Sequence, residues 1–288
     1  MTSLADILSH LPEPRILELE TVTRRIVETG KAEFVVLFGS YARGTYREKQ
    51  GKIRGRKSDY DILVVTDAES RRGLEGALRG KFDDISVNVQ LVVEDIDFVN
   101  SNLAEGQFFF TDIKREGKLL YASGRYTLAE PRELSPTRRR EIAEADFEKW
   151  HGDAGTFLEG AEFFTSRGAF RVAAFNYQQV AELCYTAVEM VFTHYQPHEH
   201  HLEILRQRAG DLDGRILDAL PRDTDAEWKL FDHLNFAYIG GRYRSDAEYP
   251  VTEAELDYWA EETGKLLEIT KKVCLERIEA LRRIERNG

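Results

Sequence analysis

The sequence holds two cysteines in 288 residues, no long apolar run, no internal repeat and no surplus of positive charge. Each shortage excludes something. Cys184 and Cys274 lie far apart, and the opening MTSLADILSHLPEPR has no basic segment ahead of an apolar run. The expectation is a reduced, cytoplasmic chain with no secretory signal and no disulfide framework. No segment approaches the ~18 consecutive apolar residues of a transmembrane helix, so no membrane is expected among the partners. The net charge is −11, and it is uneven: the first 136 residues are close to balanced, while the rest carries most of the acidic excess. That distribution argues against broad nucleic-acid coating of the second half, though not against a local basic site.

What is present is enough for a folded core, with 42% hydrophobic and 11% aromatic residues. The length predicts two domains. The first half alternates helix and strand signals. A helix is expected over 12–30, then a buried strand FVVLF at 34–38, a second at ILVV, 62–65, and a helix over 68–80. A third strand is expected over 85–93, a helix over 94–116 and an edge strand, KLLYA, at 118–122. Residues 123–136 carry a Gly and two Pro without a sustained period and read as a linker. The second half has almost no strand signal. Helices are expected near 138–166, 169–195, 199–209, 224–239 and 252–286, with Thr252 and Glu255 as a capping box for the last. The domains therefore read as 1–122 and 137–288, the second an all-α bundle.

Two short segments carry chemistry. LFGSYARG (37–44) ends a strand in Gly39-Ser40, and SDYDILVV (58–65) begins one with Asp59 and Asp61. Residues two apart on a strand share a face, so the two carboxylates project together. Paired carboxylates repel, and a divalent cation relieves the repulsion. Mg²⁺ takes hard oxygen ligands, commonly one or two carboxylates plus substrate phosphates. Gly39 allows close approach of a phosphate, and Ser40 offers a hydroxyl and a backbone N–H.

These residues resemble the minimal nucleotidyltransferase group of the polymerase-beta-like superfamily, over roughly 30–122. The resemblance implies that Gly39 and Ser40 hold a nucleoside triphosphate, with Arg43 and Gln90 beside it. It implies that Asp59 and Asp61 are catalytic and hold Mg²⁺ or Mn²⁺, and that an acceptor hydroxyl attacks the α-phosphate. Relatives place a third carboxylate on the later strand, where this sequence has Val89-Gln90-Leu91-Val92. Gln90 occupies the acid's position, with Asn88 two residues away, and an amide is neither an anionic ligand nor a base. Asp83 and Asp84, just upstream, are the nearest substitutes. The 18 residues between Ser40 and Asp59 hold seven Lys/Arg against Glu48 alone. They read either as a guide for a triphosphate or RNA, or as a solvated charged loop. Within them only Tyr41 and Tyr46 could stack on bases.

In the second half, GAFRVAAFNYQQVAELCYTAVEM and LNFAYIGGRYRSDAEYP resemble the HEPN domain, over about 138–286. The fold class is then α+β: an N-terminal polymerase-beta-like nucleotidyltransferase α/β domain plus a C-terminal all-α HEPN bundle. Many HEPN relatives are ribonucleases with Arg-x(4–6)-His; here Tyr249 stands at the His spacing from Arg242 and Arg244. Tyrosine, with a reference pKa of ~10, is a poor base near neutral pH. The groove residues expected from the resemblance are Arg242, Arg244, Tyr249, His198 and His201, with Asn176, Tyr177 and Gln178 also facing it. The histidines at 194, 198, 200 and 201 are split by Pro197 and read as a loop and helix start rather than zinc ligands.

The function expected is transfer of a nucleoside monophosphate, from ATP foremost, to a protein tyrosine, an RNA end or a small molecule. Tyr249 and Tyr243 are the self-acceptor candidates. The competing expectations are a degenerate nucleotide- or RNA-binding regulator, and a ribonuclease of toxin–antitoxin type. The resemblance also raises a homodimer through the HEPN domain.

Overall fold

The structure, a computed structural model, describes residues 4–46, 58–196 and 199–287. The chain divides into two compact units, Met1–Glu133 and Leu134–Gly288.

In the first unit, α1 (Leu4–Ile7) and α2 (Glu13–Val27) precede β1 (Ala32–Phe38), the one-turn α3 (Gly39–Arg43), β2 (Tyr60–Thr66) and α4 (Arg71–Leu78). Then come β3 (Val89–Asp95), α5 (Ile96–Glu105), α6 (Phe108–Glu116) and β4 (Lys118–Ala122). The helical spacing of Leu19, Val22 and Ile26 buries one face of α2 in the unit's core, together with Val35, Leu37, Ile62 and Val64. The four strands lie in the order β3-β2-β1-β4. β1 is antiparallel to both β2 and β4, and β2 is parallel to β3, so KLLYA is an edge strand as its position predicts.

Two expectations shift. The third strand starts at Val89 rather than at 85, because its parallel partner supplies pairing only from Tyr60, whose N–H donates to Asn88 O. The single helix expected over 94–116 is two. Gly106 adopts φ 77° and closes α5, and the Gln107 side chain then accepts from Phe110 N to open α6. Residues 123–133, which read as a linker, are strapped to this unit. Ser123 and Arg125 bond the fully buried Glu33, Ala129 N donates to Asn100 Oδ1, and Arg132 N donates to Leu103 O.

The second unit contains α7 (Pro136–Ser166), α8 (Phe170–Thr193), α9 (Leu202–Leu212), a 3-10 turn (Gly214–Asp218), α10 (Asp225–Tyr243) and α11 (Glu253–Asn287). Five long helices were expected, and they differ only at their ends. α8 is its buried centre: Tyr177, Val180, Ala181, Cys184 and Val188 pack with Trp259 and Leu266 of α11. Cys184 and Cys274 are buried free thiols. Thr252 and Glu255 form the expected reciprocal cap. Among the described residues no helix is long and apolar enough to cross a membrane.

Candidate functional site

The first unit builds its site where β1 ends and β2 begins. Phe38 is extended, and Gly39 turns the chain with φ +71°. Phe38 pairs in register with Asp61, so the turn lies directly against the start of β2. A Cβ built on Gly39 would stand 3.0 Å from Asp61 Cγ and 3.2 Å from its Cβ, with Oδ2 closer still. Only glycine permits both the left-handed conformation and this approach. Gly39 of the predicted corner and Asp61 of the predicted pair are therefore in contact.

Asp59 immediately precedes β2 and Asp61 lies within it, one on each side of Tyr60. Asp59 is buried and Asp61 is half-buried. Tyr60 is fully buried, and its hydroxyl donates to Glu18 Oε2 at 2.7 Å. Burial, then the bond to Glu18, pushes the Tyr60 hydroxyl far above its ordinary pKa. Burial also pushes Glu18 upward, but bonds from Ser86, Tyr60 and Arg15 outweigh it and hold that carboxyl below its usual value. Tyr41 packs edge-on against Tyr60 at 4.6 Å and stacks on Tyr46 at 4.3 Å. Tyr41 is thus core, not a platform for bases, and it ties α3 to the carboxylate strand. Of the basic insert, 47–57 lies outside the described residues.

From β3, Gln90 pairs in register with Asp61. Gln90 Nε2 donates to Asp59 Oδ2 at 3.3 Å, and Asn88 Nδ2 donates to the same oxygen at 3.1 Å. The amides occupy the place where a third acid was sought. Asp84 cannot fill it: both its oxygens accept from Arg25 of α2, which holds its carboxyl down to about 2. Ser40 is half-buried at the corner. Helix α3 has five residues, so it carries little dipole, and Ser40's offer to an anion is its own hydroxyl and N–H. Arg43 is exposed at the end of α3, 3.9 Å from Glu116.

The residues present fit a divalent cation. The Asp61 carboxylate lies beside a glycine cradle that a Cβ would fill, and Asp59 stands two residues before it. Among the described residues no three or more His, Cys, Asp or Glu side chains converge. The remaining ligands would be phosphates and water, the habit of Mg²⁺.

In the second unit the expected groove residues part company. Tyr249 is buried, its hydroxyl donates to His233 O, and its ring lies where a Cβ on Gly240 would sit. Burial raises its pKa. It is neither a base nor a presented acceptor; Tyr243, 69% exposed, is the accessible tyrosine of that segment. Arg244 pairs with Glu248 at 3.5 Å within a surface turn. Tyr177 is core, and Asn176 donates to Val172 O. His198 lies outside the described residues. His201 is exposed and meets Asn235 Nδ2 at 3.0 Å.

Arg242 is placed otherwise. Its guanidinium lies over Tyr238 at 5.0 Å, Tyr243 at 5.1 Å and Phe175 at 5.6 Å, and no carboxylate pairs with it among the described residues. His200 stacks on the same Tyr238 at 4.6 Å, and its Nδ1 meets Glu182 Oε1 at 2.9 Å. The buried Gln178 donates to both Glu182 Oε2 and His200 O. The sequence reading missed Glu182 and Tyr238. The available signal was helical spacing: Gln178–Glu182 and Tyr238–Arg242 are both i,i+4 pairs.

Residues 20–125 match the family model described as polymerase beta, nucleotidyltransferase, and residues 147–274 match that of the HEPN domain. No curated protein matches the chain.

Proposed function

For a chain that joins a polymerase beta-type nucleotidyltransferase domain to a HEPN domain, we propose a divalent-cation-dependent transfer of a nucleoside monophosphate from ATP, or a similar triphosphate, to an acceptor hydroxyl. The observation that carries this reading is the contact between Gly39 and the Asp61 carboxylate, with the buried Asp59 two residues away. A phosphate brought close to Gly39 meets an aspartate there, and two anions tolerate that proximity only with a cation between them.

Asp59 and Asp61 would hold Mg²⁺ or Mn²⁺, which when bound offsets the charge that develops on the departing phosphates. Gly39 admits the triphosphate, Ser40 donates to it, and Arg43 and Gln90 flank it. The acceptor oxygen bonds to the α-phosphorus, the bond to the bridging oxygen breaks, pyrophosphate leaves and the acceptor proton passes to water.

The helical domain holds the acceptor in this reading. Supporting that role is an arginine unpaired by any carboxylate among the described residues, resting on three aromatic rings beside a carboxylate-oriented histidine. Such a surface suits a nucleobase and its phosphate, which favours an RNA end over a peptide. Incubation with α-labelled ATP and Mg²⁺ tests the transfer, with mass spectrometry of protein and added RNA. Labelled acceptor and free pyrophosphate are expected from the native chain and not from Asp59→Ala plus Asp61→Ala; equal, null results from both would remove the reading.

A further inference from the structure

We infer that this site takes one divalent cation with its nucleotide rather than two, because the amides of Asn88 and Gln90 occupy the second position. The inference rests on the nucleotide reading above and specifies how that site is charged.

The argument starts from register. Gln90 is the parallel partner of Asp61, so its side chain rises on the carboxylate face. Its Nε2 and the Asn88 Nδ2 both reach Asp59 Oδ2, at 3.3 and 3.1 Å. An amide presents either a carbonyl oxygen or an NH₂, and only the NH₂ is attracted to a carboxylate at that distance. Two amide nitrogens therefore point their hydrogens at one oxygen of a buried aspartate. Each carries the partial positive charge that a cation would bring there.

A pair of divalent cations clamps an in-line displacement from both sides, one near the attacking oxygen and one near the leaving oxygen. Holding both takes oxygen ligands beyond two shared carboxylates and the substrate phosphates. Here position 90 turns an amide NH₂ toward Asp59 in place of a third carboxylate. Admitting the second cation would require both amides to turn and strip two charge-assisted hydrogen bonds from Asp59. The native site thus holds its nucleotide well and transfers slowly, and an acid at position 90 restores the missing ligand.

Equilibrium dialysis with Mn²⁺ and α,β-methylene ATP, protein in excess over nucleotide, counts bound Mn²⁺ per bound nucleotide. The native chain is expected to give one and Gln90→Asp two, with transfer from ATP accelerated at least tenfold in the variant. Should Gln90→Asp fail to fold, Asn88→Asp places an acid on the exposed side of the same aspartate and is expected to give two. A native count of two overturns the inference, as does a folded variant that still holds one. A native count of zero, with no nucleotide retained, contradicts the nucleotide reading itself and takes this inference with it.

Discussion

Gly39 and Asp61 touch across the β1–β2 pair: the glycine sits at φ +71° with the aspartate carboxylate over its Cα, in the space a side chain would take. The relationship brings two short motifs, with 18 residues between Ser40 and Asp59, into contact. Gly39→Ala adds strain from the left-handed backbone and a collision with Asp61. The expected outcome is a loss of about 1–2 kcal/mol in stability. Nucleotide affinity should fall more than that loss alone explains, because Asp61 must move. Thermal unfolding alongside nucleotide titration checks both; unchanged affinity would mean the corner does not face the nucleotide.

Tyr60 holds the middle of the Asp59-Tyr60-Asp61 triplet through its bond to Glu18. Tyr60→Phe keeps the ring against Tyr41 and removes only the hydroxyl. Glu18 retains Ser86 and Arg15, so the cost should be about 1 kcal/mol, read by denaturant unfolding. Glu18→Leu should cost more, since it strands the buried Tyr60 hydroxyl and releases Ser86.

Much of the fold is legible in the sequence: apolar runs mark the strands, and the Gly39-Ser40 and Asp59/Asp61 motifs fall on the two segments that β1 and β2 bring together. The position of Gln90 was also readable, but its bond to Asp59 was not: that depends on a parallel register set by the Tyr60–Asn88 backbone bond. Tyr249 was misjudged as a groove residue because spacing alone does not say which way a tyrosine turns; the gap opposite Gly240 takes its ring inward. Glu182, His200 and Tyr238 come from three separated segments, and no local pattern joins them.

Glu189 is fully buried on α8, and burial pushes its carboxyl up to about 7 against the pull of Arg208. Between its ordinary 4.5 and about 7 the folded state holds a proton that the unfolded state releases. Its contribution to stability is therefore present at low pH and declines as pH rises through that window. Glu189→Gln keeps the neutral shape at every pH. Its stability relative to the native chain should rise between about pH 5 and about pH 8 in urea unfolding. A constant or shrinking difference would contradict the sign.

Arg242 is exposed, so its removal should spare the fold. Arg242→Ala should weaken binding of a short fluorescent single-stranded RNA about tenfold, the scale of one lost stacking contact, with unfolding unchanged. Arg242→Lys should recover part of the loss, since the charge returns but the planar stack does not. Fluorescence anisotropy reads both.

The most direct test of the cation-and-nucleotide site is calorimetric titration of ATP into the chain with Mg²⁺ and with EDTA, repeated for Asp61→Asn. The account predicts binding that requires Mg²⁺ and is lost in the variant. Equal binding with and without Mg²⁺, or full affinity in Asp61→Asn, would contradict it.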